Sequence, residues 1–108
     1  MNKIYKVPII YALLGLCTGK PGIPTAYFHG MHDDCKNNEG MVEVLSHDLE
    51  APVHCIEVGD GIETSIIKQF IVQAQMACES LLQHPAFQVE EINVIGFSQG
   101  GLIARYIA

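Results

Sequence analysis

One stretch near the end of the chain restricts its folding more than any other. Ile92-Asn93-Val94-Ile95 is followed by Gly96-Phe97-Ser98-Gln99-Gly100-Gly101. Leu102, Ile103, Tyr106 and Ile107 then recur on one face at helical spacing. A β-rich run that passes at once into an apolar-faced helix predicts a strand, a tight turn and a helix. Within the turn, Gly96-Phe97-Ser98-Gln99-Gly100 has the form Gly-x-Ser-x-Gly. In such a turn the serine takes a strained backbone, and small residues two before and two after let strand and helix approach closely. The hydroxyl is lifted out at the carboxyl end of the strand, and the helix N-terminus beneath favours developing negative charge. At ordinary Gly and Ser usage of ~7%, the three fixed residues arise by chance in roughly 3 of 100 chains of this length. The flanking strand and helix therefore carry the reading more than the string does.

The rest of the chain alternates in the same way. Thr25 to Phe28 reads as a buried strand, and His29-Gly30-Met31-His32-Asp33-Asp34-Cys35 as a polar loop. Glu39 to Leu49 places Met41, Val42, Val44, Leu45 and Leu49 at helical spacing, and Pro52 forbids continuation. Val53 to Val58 reads as a second strand and Gly59-Asp60-Gly61 as a turn. Asp60 and Glu63 form a capping-box-like pair at the start of a long helix. That helix carries Ile62, Ile66, Ile67, Phe70, Ile71, Ala74, Cys78, Leu81 and Leu82 on one face and stops at Pro85. Strands alternating with helices predict an α/β fold with parallel strands and crossover helices.

Composition limits the function classes. Half of the 108 residues are hydrophobic and 17% are charged, so a packed core is expected. The net charge is -6, and the six Lys and Arg residues are scattered. No basic stripe follows a phosphate backbone, so nucleic acid is not an expected partner. No apolar run reaches the ~18 residues of a membrane span. Residues 1–19 read as a secretory signal peptide: Lys3 and Lys6, then a short apolar segment from Val7 to Leu16, then Cys17-Thr18-Gly19. Residues 20–108 would remain. Cys35, Cys55 and Cys78 then leave an odd thiol in an oxidising compartment, either free or paired outside the chain. No Cys/His set has zinc spacing, and the His32-Asp33-Asp34 cluster reads as a solvated loop, so no metal and no cofactor are expected.

Phe28-His29-Gly30-Met31, Asp33, Cys35, Glu57-Val58-Gly59, Cys78 and Gly96-Phe97-Ser98-Gln99-Gly100-Gly101 together resemble the palmitoyl-protein thioesterases, from about residue 24 to 108. The resemblance implies an α/β-hydrolase fold in a lysosomal or secreted enzyme. Such an enzyme removes long fatty acyl groups from protein cysteines, so its partners are S-acylated proteins and long-chain acyl thioesters. It implies Ser98 as nucleophile and the backbone amides of Met31 and Gln99 as the oxyanion hole. His29, Gly30, Gly96, Gly100 and Gly101 support them. His32 stands where the family usually has glycine, so a left-handed backbone there would strain a histidine. The family also commonly bridges a cysteine like Cys78 to one beyond the elbow helix.

A serine triad in this fold runs Ser, then Asp or Glu, then His. Gln99 to Ala108 hold neither an acid nor a histidine, and all five histidines precede Ser98. The expectation is therefore the N-terminal part of a longer hydrolase. Two other readings stand beside the thioesterase: a lipase or carboxylesterase of the same fold, and a truncated chain that binds lipid or a partner without catalysis.

Overall fold

The computed structural model describes residues 22–108. The expected signal peptide at 1–19, with Cys17, lies outside the described residues. The described elements run β1 (Thr25–Phe28), a 3-10 turn (Lys36–Asn38), α1 (Glu39–Leu49), β2 (Val53–Cys55), α2 (Ile62–Ile67), α3 (Phe70–Gln83), a 3-10 turn (Pro85–Phe87), β3 (Asn93–Gly96) and α4 (Gln99–Ile107). The three strands form one parallel sheet in the order β2-β1-β3. This is a small α/β fold with β1 at its centre. Among the described residues, no helix is long and apolar enough to cross a membrane.

Side chains alternate between the faces of a strand, and the sheet uses both. Tyr27 and Val53 point to one face and pack with Leu49 and Ala51 under α1. Ala26, Phe28 and Val94 point to the other, where Ala77 and Leu81 of α3 and Ile103 and Ala104 of α4 cover them, with Phe87 and Ile92. Burial on both faces explains why the strands are nearly continuous in apolar residues. One buried polar pair interrupts them: Asn93 Nδ2 donates to Thr25 Oγ1 across the β1–β3 ladder at 3.4 Å.

The long helix expected from Ile62 to Leu82 is two helices. Lys68 and Gln69 are extended, with ψ of 143° and 147°. Neither Gly nor Pro causes the break. The Gln73 side chain, 2% exposed, donates to the carbonyls of Ser65 (3.3 Å) and Lys68 (2.8 Å), so buried acceptors at the break are satisfied without a continuous helix. The expected apolar face is only partly covered: Ala74 and Leu81 are buried, while Ile66, Ile67, Phe70, Ile71 and Leu82 are exposed.

The second strand is shorter than expected, ending at Cys55. Ile56 N still donates to Tyr27 O, and Ile56 and Val58 stay buried. The cap before α2 also differs. Gly61 is its N-cap, and Asp60 reaches in from one residue outside to accept from Thr64 N at 2.8 Å. The reciprocal bond expected from Glu63 is made by Thr64, whose Oγ1 accepts from Asp60 N.

Candidate active site

β3 ends at Gly96, and Phe97 N donates to Phe28 O at 3.0 Å, the last bond to β1. The chain then turns through Ser98, at φ 56° and ψ -121°, directly into α4. A non-glycine residue in this region costs about 1–3 kcal/mol and persists only where its surroundings enforce it. Here the enforcement is steric. A Cβ on Gly100 would lie 2.0 Å from Phe28 O, and one on Gly96 would lie 2.1 Å from Gly100 O. α4 therefore sits directly against the ends of β1 and β3. Gly101 is different: a Cβ there would meet Gly96 O at 3.4 Å and Gly96 C at 3.8 Å, both ordinary contacts.

The loop after β1 lies against this turn. A Cβ built on Gly30 would be 3.3 Å from Phe97 O and 3.4 Å from Ser98 Cβ. The structure therefore brings the His29-Gly30-Met31 loop and the elbow into contact, although they are 68 residues apart. Ser98 is exposed, as are Phe97 before it (61%) and Met31 after Gly30 (58%). Gln99 is the first residue of α4, where an N–H has no acceptor within the helix.

The loop is tied down along its length. Glu57 accepts from Cys35 N at 2.9 Å and meets His29 Nε2 at 2.5 Å. His32, at φ 61°, has the left-handed backbone considered above, and its N–H donates to Ser65 Oγ at 2.8 Å. Tyr27 donates to Asn38 Oδ1, and Asn38 Nδ2 donates to Asp33 Oδ2 and Asp34 O. The acidic pair thus accepts hydrogen bonds within the turn while remaining partly open to solvent. The Asn38 amide holds the Asp33 carboxyl below the usual carboxylate range. Burial pushes the Tyr27 hydroxyl up, and Asp33 adds to the shift.

His29, Cys35 and Glu57 place potential ligand atoms within 4.8 Å of one another. Cys35, however, is bonded to Cys55, so its sulfur offers no thiolate, and the His and Glu bond each other. The cluster is structural. The other histidines fall elsewhere. His47 is exposed beside Asp48, and His54 and His84 pack on Phe87. Burial first, then His54, lowers the pKa of the His84 imidazole. An open groove of about 890 Å³ along α1 and β2, lined by Cys35, Val42, Ser46 and Val53 among others, contains neither Ser98 nor Met31.

Residues 24–108 match the family model of palmitoyl protein thioesterases. The chain belongs to that family. It is 30% identical over 115 residues to palmitoyl-protein thioesterase 1 of Caenorhabditis elegans. That alignment covers 94% of this chain and 38% of the relative, so the chain spans little more than a third of the relative's length. No solved structure gives a significant match. Within this thioesterase-family chain, the Cys35–Cys55 bridge joins the loop behind Gly30 to the end of β2. Among the described residues Cys78 is the free cysteine.

The bridge spans 20 residues, and a cross-link of that length restricts the unfolded chain by about 3 kcal/mol in the loop-entropy view. Replacing Cys35 and Cys55 together by serine is therefore expected to lower the stability of the complete protein by about that amount. Urea midpoints under non-reducing conditions measure it. An unchanged midpoint would show that the bridge does not form.

Proposed function

We propose that the complete protein is a serine hydrolase acting on long-chain acyl thioesters of protein cysteines, with Ser98 as nucleophile. The observation that carries the reading is the strained backbone of an exposed Ser98 at a strand–helix turn, with Gly30 packed against it. Ser98 Oγ attacks the thioester carbonyl carbon. The amides of Met31 and Gln99 hold the resulting oxyanion, aided by the N-terminus of α4. The C–S bond breaks, the cysteine thiol leaves, and an acyl-serine remains for water to hydrolyse. A cysteine thiol has an ordinary pKa near ~8.5, so it departs with little help from an acid. His29 is committed to Glu57 and to the Gly30 carbonyl. The base that takes the Ser98 proton, returns it to the departing sulfur and later deprotonates the attacking water is a histidine oriented by an aspartate, contributed from outside these 108 residues.

The exposed apolar side chains of Phe97, next to Ser98 in the turn, and Met31, next to Gly30 in the loop, suit an apolar acyl chain. The Cys35–Cys55 bridge suits an oxidising compartment. With the basic-apolar-small pattern of residues 1–19, it supports a secreted or lysosomal protein entering by a signal peptide.

The test is to treat the complete protein with a serine-directed phosphonate, map the label, and compare a palmitoyl thioester with its oxygen-ester counterpart. The label is expected on Ser98, with the thioester turned over faster. A lipase or carboxylesterase would prefer the oxygen ester. Thioester turnover with the label on another residue would overturn the assignment of Ser98.

A further inference from the structure

The His29–Cys35 turn is anchored at both ends by one side chain. Glu57 follows β2, and its two oxygens take different jobs. Oε2 bonds His29 Nε2, and Oε1 accepts from Cys35 N. His29 is 7% exposed, and its Nδ1 lies 2.9 Å from Gly30 O, which can only accept. Nδ1 therefore donates to Gly30 O, Nε2 faces the Glu57 carboxylate, and the ring is held at both nitrogens. Gly30, the residue in contact with Ser98, and Met31 both lie inside the span that Glu57 closes.

We propose that Glu57 is the positioning residue of the oxyanion loop: its carboxylate bridges the two ends of the His29–Cys35 turn and so keeps the Met31 amide in place beside Ser98. The inference rests on the roles given to Ser98 and Met31 above. What it adds is a residue that does not touch substrate yet sets the rate. An oxyanion donor acts on charge that develops in the transition state, so its displacement lowers kcat more than it changes KM. Misplacing such a group by about 1 Å costs on the order of 100-fold.

Reach and charge can be separated by substitution. Glu57→Gln keeps the length. Its amide oxygen accepts from Cys35 N, and its NH2 donates to His29 Nε2 while Nδ1 still donates to Gly30 O. Glu57→Asp keeps the charge but is one methylene short of spanning both partners. Glu57→Ala removes both bonds. In the complete protein, kcat for a palmitoyl thioester is expected to fall about 10- to 100-fold in E57A and E57D, with KM within about threefold. E57Q is expected to recover most of the loss. Phosphonate labelling of Ser98 should slow in the same order, because the phosphonyl oxygen occupies the oxyanion position.

If E57A fails to fold, the comparison of E57D with E57Q decides alone. An E57D that matches wild type beside a crippled E57Q would show that charge matters and not reach, and would overturn the proposal. Wild-type rates in all three variants, with Ser98 labelled and thioester hydrolysed, would overturn it while leaving Ser98 as nucleophile. A wild-type enzyme with neither label nor turnover would overturn both.

Discussion

Ser98→Gly is expected to give a complete protein that is inactive and slightly more stable. The two effects come from one backbone conformation. At φ 56° and ψ -121° serine is strained by about 1–3 kcal/mol, and glycine is not. Glycine also gives the unfolded chain more freedom, which returns about 0.5–1 kcal/mol. The net gain is about 1 kcal/mol. Removing the nucleophile of a serine hydrolase lowers kcat by roughly 10⁴- to 10⁶-fold, with residual rate left to the oxyanion hole and binding. Ser98→Ala should lose the same activity without the gain in stability, because alanine keeps the strain. Denaturant midpoints and thioester turnover on the three proteins check both halves. A destabilised S98G would show that the backbone is not strained in solution. Retained turnover in S98A would remove Ser98 from the chemistry.

What could be read from the residues follows the range of the interaction that fixes each element. β1 at Thr25–Phe28 and α1 at Glu39–Leu49 fall where apolar spacing and Pro52 place them, because both signals are local. β3 is displaced by one residue, to Asn93–Gly96, because the ladder continues to Gly96 opposite Phe28. The break at Lys68 and Gln69 was not legible. It contains no breaker residue and is accompanied by a side chain several residues away, Gln73, bonded to Ser65 O and Lys68 O. Periodicity marked Ile66, Ile67, Phe70 and Ile71 as one apolar face but could not say what would cover it.

The site divides in the same way. Gly96, Ser98 and Gly100 are readable because the requirement for small residues is confined to a five-residue turn. The loop at His29-Gly30-Met31 is readable only through resemblance, since a polar turn looks alike whatever it does. Asn38, Ser65 and the carboxylate of Glu57 gave no local signal of their roles. Each is polar and could as well face water. Their function is to join segments that meet only after the sheet has formed: Glu57 lies 28 residues from His29, and Ser65 lies 33 from His32.

The second large effect is expected at Gly100. A methyl group there would lie 2.0 Å from Phe28 O and 2.5 Å from His29 O, both backbone atoms that cannot rotate away. To admit it, α4 must lift from β1 or the turn through Ser98 must reopen. Gly100→Ala is therefore expected to cost about 3 kcal/mol or more, at the upper end of overpacking substitutions. It should also abolish turnover in the protein that remains folded, because displacing α4 moves the Gln99 amide and Ser98 together. Gly40 in α1 is the internal control. A Cβ there meets nothing within 4 Å, so Gly40→Ala should stabilise by about 0.5 kcal/mol through helix propensity alone and leave the rate untouched. The same substitution thus has opposite signs at two helical glycines, and only contact with the end of β1 distinguishes them. Urea midpoints and thioester turnover on G40A and G100A measure the difference. A G100A protein as stable and active as wild type would mean that α4 does not seat against Phe28 and His29, and the close approach that holds Ser98 in its strained conformation would have to be abandoned.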